Sequence, residues 1–495
     1  MTDYALKVSI SFFIYLSILM GIGYFFYKKT TTISEYMLGG RQLNGWVTSL
    51  SAQASDMSGW LLLGLPGAAY LVGLEASWIA IGLAIGTYLN WKFVAKRLRQ
   101  YTQISNDSLT LSDFFENRYR DESKLLRIGS AFFILIFFIF YTSSGFVAGG
   151  KLFNSIFGIS YVSALTMGAI FVVSYTFLGG FLAVSWTDLF QGILMFFTIL
   201  IVPFVGLRKM GGIGATLDKL REVNVELLTF STGLDGNPIG TMALISLVAW
   251  GLGYFGQPHI LVRFMATKSS SEIKKARIIA MTWVGFSLVG AVLVGLVGRA
   301  YFGESLMDGS HETVFMLLVH DLFFPLVAGF LLAAVLSAIM STADSQLLVA
   351  SSAVTEDFYR TLLKKDATDK ELIRVSRISV VVIAIIAYII ALNPTSSVLD
   401  LVAYAWAGFG SAFGPLILFS LFWKRTTRNG ALAGMVSGGL TAIIWHNLNG
   451  GIFELYEIVP GFFISCFFIL VVSLFDKEPS QEIQDEFDSV LESKI

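Results

Sequence analysis

The chain alternates between long apolar runs and short polar connections. Runs of roughly 20 apolar residues match the hydrocarbon core of a bilayer and predict transmembrane helices. Thirteen spans are expected, at 5–27, 44–73, 77–95, 126–149, 160–180, 184–207, 239–262, 278–300, 322–353, 375–392, 396–423, 430–449 and 455–476. The apolar stretch of the first is too long for a signal peptide. Lys7 is the only basic residue near its start, and no clear small-residue cleavage site follows.

The placement of charge tests that count. With the N-terminus outside, 26 of the 34 Lys and Arg fall on loops and a tail facing the cytoplasm, against seven on the other side, with Lys92 inside a span. The inner set runs from Lys28, Lys29 and Arg41 through the stretches 96–127, 263–277 and 360–377 to Lys424, Arg425, Arg428, Lys477 and Lys494. This is the asymmetry of a plasma-membrane protein with its N-terminus outside and C-terminus inside. One span more or fewer in the middle would scramble it.

Composition agrees. The 495 residues are 55% hydrophobic and 14% charged, against about 25% charged in an average soluble domain. Their mean hydropathy is +0.71. That is too apolar for a disordered chain and for a large soluble enzyme. A net charge of −1 offers nothing to nucleic acid. One cysteine, Cys466, excludes a disulfide framework, and His259, His311, His320 and His446 show no ligand spacing. No obligatory protein partner is evident; membrane lipid surrounds the chain. The tail 477–495 is short and acidic, too short for a catalytic or signalling module. The outer loop 208–238, of mixed charge, is expected to be a solvated face.

With span 1 set aside, spans 2–6 and 7–11 form two groups of five, which an odd number places in opposite orientations. The expected division of the single transmembrane domain, 1–476, is 1–43 for the first helix and loop, 44–207 for one repeat, 239–423 for the other, and 430–476 for the last two helices. Each group opens on an interrupted helix. Span 2 contains Ser-Asp-Met-Ser-Gly-Trp and then Gly64, Pro66 and Gly67; span 7 contains Trp250-Gly-Leu-Gly-Tyr-Phe-Gly-Gln-Pro258. Interrupted helices at matching places in two halves point to a transporter's midplane site.

Several residues there carry chemistry. Asp56 lies mid-span with no Lys or Arg in span 2 to neutralise it, at a cost of roughly 2.5–3.5 kcal/mol on insertion scales. It is read either as a cation-capturing carboxylate or as the cap of a broken helix segment. Ala338, Ser341, Thr342 and Ser345 recur at i, i+3, i+4 and i+7 on one face of span 9. Their hydroxyls and carbonyls suit a small hard cation, helped by carbonyls freed at Ala54 to Met57; the alternative is Ser/Thr packing between helices. Asp344, about 60° round from Ser341, fits a second cation or proton site or a watery exit. Asp188, near the inner end of span 6, is either a helix N-terminal anion or a way station for a departing cation. Glu75 and Asp400, near span ends, read as interfacial and hydrated. Trp250, Tyr254 and Pro258 recur at i, i+4 and i+8, and Tyr141 sits mid-span beside Thr142, Ser143 and Ser144. With amides at Ser58, Gly59 and Trp60 they suit a small zwitterion, or they form a packing stripe. Gly251-x-Gly253-x-x-Gly256 lacks the preceding strand a dinucleotide site needs, and Gly145/Gly149 reads as helix packing.

Ala-Ser-Asp-Met-Ser-Gly-Trp at 54–60, Leu-Gly-Gly-Arg at 38–41, the stretch 250–259 ending Gln-Pro-His, and Met-Ser-Thr at 340–342 resemble the sodium/solute symporters, and among them the sodium/proline symporters. Ala-Val-Ser-Trp-Thr-Asp at 183–188 and Tyr-Ala-Trp-Ala-Gly-Phe-Gly at 404–410 extend the resemblance over the whole chain. It implies an all-α integral membrane protein of thirteen helices with LeuT-like inverted five-helix repeats. It also implies coupled uptake of sodium with L-proline and no enzymatic chemistry. Sodium would bind Ala54, Met57, Ala338, Ser341 and Thr342. Proline would bind Ser58, Gly59, Trp60, Tyr141, Trp250, Tyr254 and Pro258. Asp56 and Asp188 are similar to residues essential for, or on the route of, the ion, and Arg41 to a sensitive arginine on the inner side. Asp344 departs from the family pattern. The alternative is a sodium- or proton-coupled symporter of another small zwitterion. A channel or a membrane sensor fits less well, given the paired broken helices and the short tail.

Overall fold

The structure is a computed structural model that describes residues 3–27, 32–178 and 180–492; Lys28, Lys29 and Lys494 of the charge count lie outside the described residues. Every regular element among them is helical. The helices used below are α1 (Asp3–Tyr27), α2 (Gly45–Asp56), α3 (Leu65–Val72), α4 (Ser77–Leu89), α5 (Leu125–Phe157), α6 (Tyr161–Leu178), α7 (Phe181–Lys209), α8 (Thr241–Val248), α9 (Pro258–Met265), α10 (Ser270–Phe302), α11 (Pro325–Ser352), α12 (Asp369–Ile390), α13 (Val398–Phe422), α14 (Arg428–His446), α15 (Ile458–Phe475) and α16 (Gln481–Glu492).

Each expected span falls on one of these or, for the second and seventh, on a pair: α2 with α3, and α8 with α9. Among the described residues nine helices are long and apolar enough to cross a membrane by length and composition. One of them, Trp60–Ile104, joins the second half of span 2 to span 3; the first half of span 2, the interrupted span 7 and the shorter or less apolar α6 and α14 make up the rest. Some ends differ from expectation. The third span runs on through Asn90–Val94 and Ala95–Ile104, and α11 continues through wider turns, Ala353–Leu363. In both places polar residues still find helical hydrogen bonds outside the apolar run.

The interruptions have local causes. α2 stops at Asp56, where Met57 leaves the helical region (φ −82°, ψ 73°), and the chain resumes at Gly59 through a wide turn over Trp60–Gly64. Span 7 tightens to a 3₁₀ turn over Ala249–Gly256, extends at Gln257, and restarts with Pro258 as the first residue of α9. A residue before proline is pushed out of the helical region, and proline suits a helix's first turn. The glycines of this stretch are for close approach. A side chain at Gly253 would strike the Trp406 indole, and one at Gly251 the Gly82 carbonyl. Gly149 likewise meets Gly168 of α6, so both glycine patterns serve packing.

The contacts reveal a pseudo-two-fold relation. α2 lies on α7, the last helix of its group, as the span 7 interruption lies on α13, the last of the other. α10 packs on α2 and α3, matched by α4 on the span 7 turn; α7 packs on α11, matched by α13 on α5. Exchanging spans 2–6 with 7–11 maps each contact onto another, which is what two inverted repeats require.

Several of the basic loops meet one another. Arg41 hydrogen-bonds Asp107 (2.8 Å), the Ser108 carbonyl (2.9 Å) and the Met265 carbonyl (2.7 Å), joining three basic stretches of the chain. Arg120 reaches Glu486 of the tail at 2.5 Å. The tail is thus more than a solvated end: Ile483 and Phe487 of α16 are buried, and the Arg97 guanidinium lies 4.9 Å from the Phe487 ring. The loop 208–238 is also only partly solvated. Its charged residues Lys219, Arg221 and Glu222 are exposed, but Leu220 and Leu227 are buried and Trp78 bonds the Phe230 carbonyl at 2.7 Å. Glu75 is half-buried and Asp400 exposed, as residues at span ends.

Candidate functional site

The break in span 2 meets α11 at its polar face. The Ser341 hydroxyl donates to the Ala54 carbonyl at 2.7 Å, the Thr342 hydroxyl reaches the same oxygen at 3.4 Å, and Ser341 lies 3.4 Å from the Ala338 carbonyl. Four oxygens from Ala54, Ala338, Ser341 and Thr342 therefore converge, with Met57 fully buried alongside. They are uncharged, hard donors. Each hydroxyl that donates to Ala54 keeps its own lone pairs, so the group can turn oxygen toward a small hard cation.

Asp56 is fully buried on the other side of the break. Its Oδ2 accepts a 2.6 Å hydrogen bond from the Tyr254 hydroxyl, while Oδ1 has no partner among the described residues. Its carbonyl is held by the Tyr141 hydroxyl (3.2 Å) and the Trp60 indole (3.1 Å). Tyr141, Tyr254, Trp60 and Asp56 are thus one cluster, and it joins both interruptions. The backbone there is less open than the sequence suggests. The Ser58 amide turns back onto the Asp56 carbonyl at 2.9 Å, and the Trp60 amide onto the Ser58 hydroxyl at 3.4 Å. Gly59 presents its bare α-carbon to Ala148 of α5.

The expected stripe of Trp250, Tyr254 and Pro258 is split. A 3₁₀ turn has about three residues per turn, so i and i+4 do not align, and Gln257 then changes direction. The Trp250 ring lies 5.5 Å from Tyr456, and its carbonyl accepts from the Trp406 indole at 2.7 Å. Tyr254 stands edge-on to Trp406 at 5.0 Å and points at Asp56. Pro258 lines a small cavity with Ile134, Leu348, Thr110 and Asp357. That cavity opens toward the basic loops, where a polar vestibule of about 520 Å³ shares Leu109 and Thr110 with it.

The remaining candidates lie elsewhere. Arg41 is a strut among the basic loops, away from both breaks. Asp188 sits in a buried quartet. Ser51 donates to its Oδ2 at 2.6 Å, and Arg263 approaches the same oxygen at 3.3 Å and Ser51 at 3.1 Å. Arg263 also donates to Ser345. So Asp188 has an intramolecular counter-ion, and Ser345 faces it and not the break. Asp344 faces α6, taking a hydrogen bond from Thr176; its other oxygen has no partner among the described residues.

Sequence reasoning missed Arg263 and His259. Arg263 falls at the predicted end of a span and reads as a loop residue, yet it is fully buried in α9. His259 is also fully buried, its ring 5.8 Å from Tyr141. Its place beside Pro258 was the available signal.

The comparisons with known proteins agree with this architecture. A model of the sodium:solute symporter family matches residues 36–438. The chain is 50% identical to the sodium/proline symporter of Escherichia coli (strain K12) over 483 residues, 97% of this chain and 95% of that protein. It is 51% identical over 470 residues to the high-affinity proline transporter PutP of Bacillus subtilis (strain 168), covering 94% and 98% of the two chains. In three dimensions it is similar to a sodium-coupled sialic acid symporter in its outward-open state, with a TM-score of 0.80 at 18% identity over 97% and 100% of the two chains. That likeness establishes the LeuT-like fold of two inverted repeats. On its sequence and its fold, the chain belongs to the sodium:solute symporter family.

Proposed function

We propose that this protein imports L-proline across the plasma membrane together with sodium, by alternating access. The observation that carries the reading is the meeting of Ala54, Ser341 and Thr342 at the span 2 break, beside Asp56 and the Tyr141–Tyr254 pair. The identities to proline transporters supply the solute. Sodium takes the oxygens of Ala54, Met57, Ala338, Ser341 and Thr342; the zwitterion lies over the break, among Ser58, Gly59, Trp60, Tyr141, Trp250, Tyr254 and Pro258. Asp56 raises the local affinity for the cation and passes it inward past Asp188. Arg41 keeps the inner loops in register while the seventh span moves. The repeats are 44–207 and 239–423, the N-terminus is outside, and the basic face is cytoplasmic. Ligands that bind one conformation better than the other couple the two flows.

The test is uptake of labelled L-proline into proteoliposomes under an inward sodium gradient. Accumulation above equilibrium, lost with potassium in place of sodium and in Asp56→Ala, supports the reading. Absence of proline uptake by folded protein overturns the substrate. A proton-coupled reading rests on Asp344, a buried carboxylate with one oxygen unpartnered among the described residues; uptake driven by a pH gradient without sodium would select it.

A further inference from the structure

Beside the cluster at the breaks lies a ring with two unpaired nitrogens. His259 is fully buried, and neither ring nitrogen has a hydrogen-bonding partner among the described residues. Its neighbours are rings: Tyr141 at 5.8 Å and 87°, and Phe138 at 5.7 Å and 65°. The hydroxyls nearest to it are engaged. The Tyr141 and Tyr254 hydroxyls are on Asp56, the Thr110 hydroxyl is on Asp357, and the histidine's own carbonyl holds Arg263 at 2.9 Å. Buried polar groups are normally paired, so an imidazole without partners is a continuing cost unless a polar group visits it.

Its position says which visitor. Ile134, Phe138 and Tyr141 lie on one face of α5, at the spacing of successive helical turns. Tyr141 touches the break, Phe138 and Tyr141 touch His259, and Ile134 lines the small cavity with Pro258, Val262 and Leu348. That cavity adjoins the vestibule at the basic face through Leu109 and Thr110. His259 is therefore an unengaged donor and acceptor between the breaks and the inner cavity that Pro258 and Val262 line, as Gln53 is on the α2 side of the break.

We propose that His259 is a transit residue for the solute. Its neutral ring donates one N–H to the carboxylate of a small zwitterionic amino acid and accepts from its ammonium as the molecule passes from the Tyr141–Tyr254 cluster toward the cavity at Ile134. This deepens the transport reading and rests on it. The role belongs to movement between states and not to the initial capture of solute over the break.

The experiment uses the full chain, as native protein, His259→Phe and His259→Gln. Phenylalanine keeps the ring contacts and removes both nitrogens; glutamine restores a donor and an acceptor. Sodium-dependent equilibrium binding of labelled L-proline is measured in detergent, and turnover and KM for uptake in proteoliposomes. His259→Phe is expected to bind within about twofold of native and to turn over about tenfold more slowly, the size of one lost hydrogen bond to a charged group, with His259→Gln recovering most of the rate. Native turnover in His259→Phe overturns the proposal. So does loss of binding in folded His259→Phe, which would put the ring in the capture site, and so does a slow His259→Gln, which would make the effect steric. If the native protein itself binds no proline, the transport reading falls, and this proposal with it.

Discussion

The Tyr254 hydroxyl donates a 2.6 Å hydrogen bond to Asp56, and this contact ties the broken second span to the broken seventh. It connects opposite repeats across the pseudo-two-fold axis, so any change in charge at Asp56 is felt by the seventh span. Tyr254→Phe leaves the carboxylate without that donor in a fully buried setting. A hydrogen bond to a charged group is worth about 1.5–3 kcal/mol, so the half-saturating sodium concentration in proline uptake should rise at least about tenfold. Asp56→Asn, which keeps the shape and removes the charge, should abolish sodium stimulation. Native sodium dependence in Tyr254→Phe would separate the tyrosine from the cation.

Ser341 and Thr342 share one acceptor, the Ala54 carbonyl, at 2.7 and 3.4 Å. Their single alanine variants should weaken sodium activation by about tenfold each, within the about 1 ± 0.5 kcal/mol of ordinary hydrogen bonds doubled for a charged partner. The proline KM at saturating sodium should stay near native. Because the two touch the same oxygen, the double variant should cost less than the product of the singles. A titration of uptake rate against sodium at fixed proline checks this. Effects of equal size on sodium and proline constants would indicate distortion of α11 instead.

How far the site can be read from sequence depends on which interactions are local. Asp56 stands out because a lone carboxylate inside an apolar run has no neutral explanation nearby. Ser341 and Thr342 stand out because helical spacing alone puts them on one face. The Trp250, Tyr254 and Pro258 stripe misleads for the opposite reason: it assumes an α-helix where three glycines and Pro258 impose a 3₁₀ turn and a kink. Arg263 and Asp188 are separated by a whole span and a long loop, and only the fold brings them together. α16 is hidden by its composition: its apolar residues are few, but Phe487 finds Tyr101 and Arg97 on another helix.

The buried Arg263–Asp188 pair makes a distinct prediction about stability. Both side chains are 0% exposed and 3.3 Å apart, with Ser51 bridging. Removing one partner of such a pair leaves an uncompensated buried charge and costs about 3–5 kcal/mol, while replacing both is often close to neutral. Arg263→Met should therefore lower the melting temperature in detergent sharply, and Arg263→Met with Asp188→Asn should recover most of the loss. Additive losses in the double variant would show that the two groups act separately.

The face opposite the basic loops is held by Glu312. Its carboxylate takes Lys151 at 2.5 Å and the amides of Val398 and Leu399 at 3.1 Å each, so it caps α13 from another segment. Burial raises its pKa, but Lys151 and the two amides outweigh burial and carry it below the usual carboxylate value of 4.5. A carboxylate depressed in the folded state stabilises fully above its unfolded pKa and loses that stabilisation as pH falls through the lower folded value. The contact should therefore be constant from neutral pH down to about 5 and weaken only below about 4.5. Glu312→Gln removes the charge at every pH. It should be less stable than native by about 1–3 kcal/mol at pH 7. That difference should shrink in the acid range, because native protein then protonates the group the variant already lacks. Melting temperatures of both proteins from pH 3.5 to 8 decide the matter. A difference that stays constant with pH would mean that the Glu312 carboxylate is held by shape alone, with the Lys151 ion pair contributing nothing.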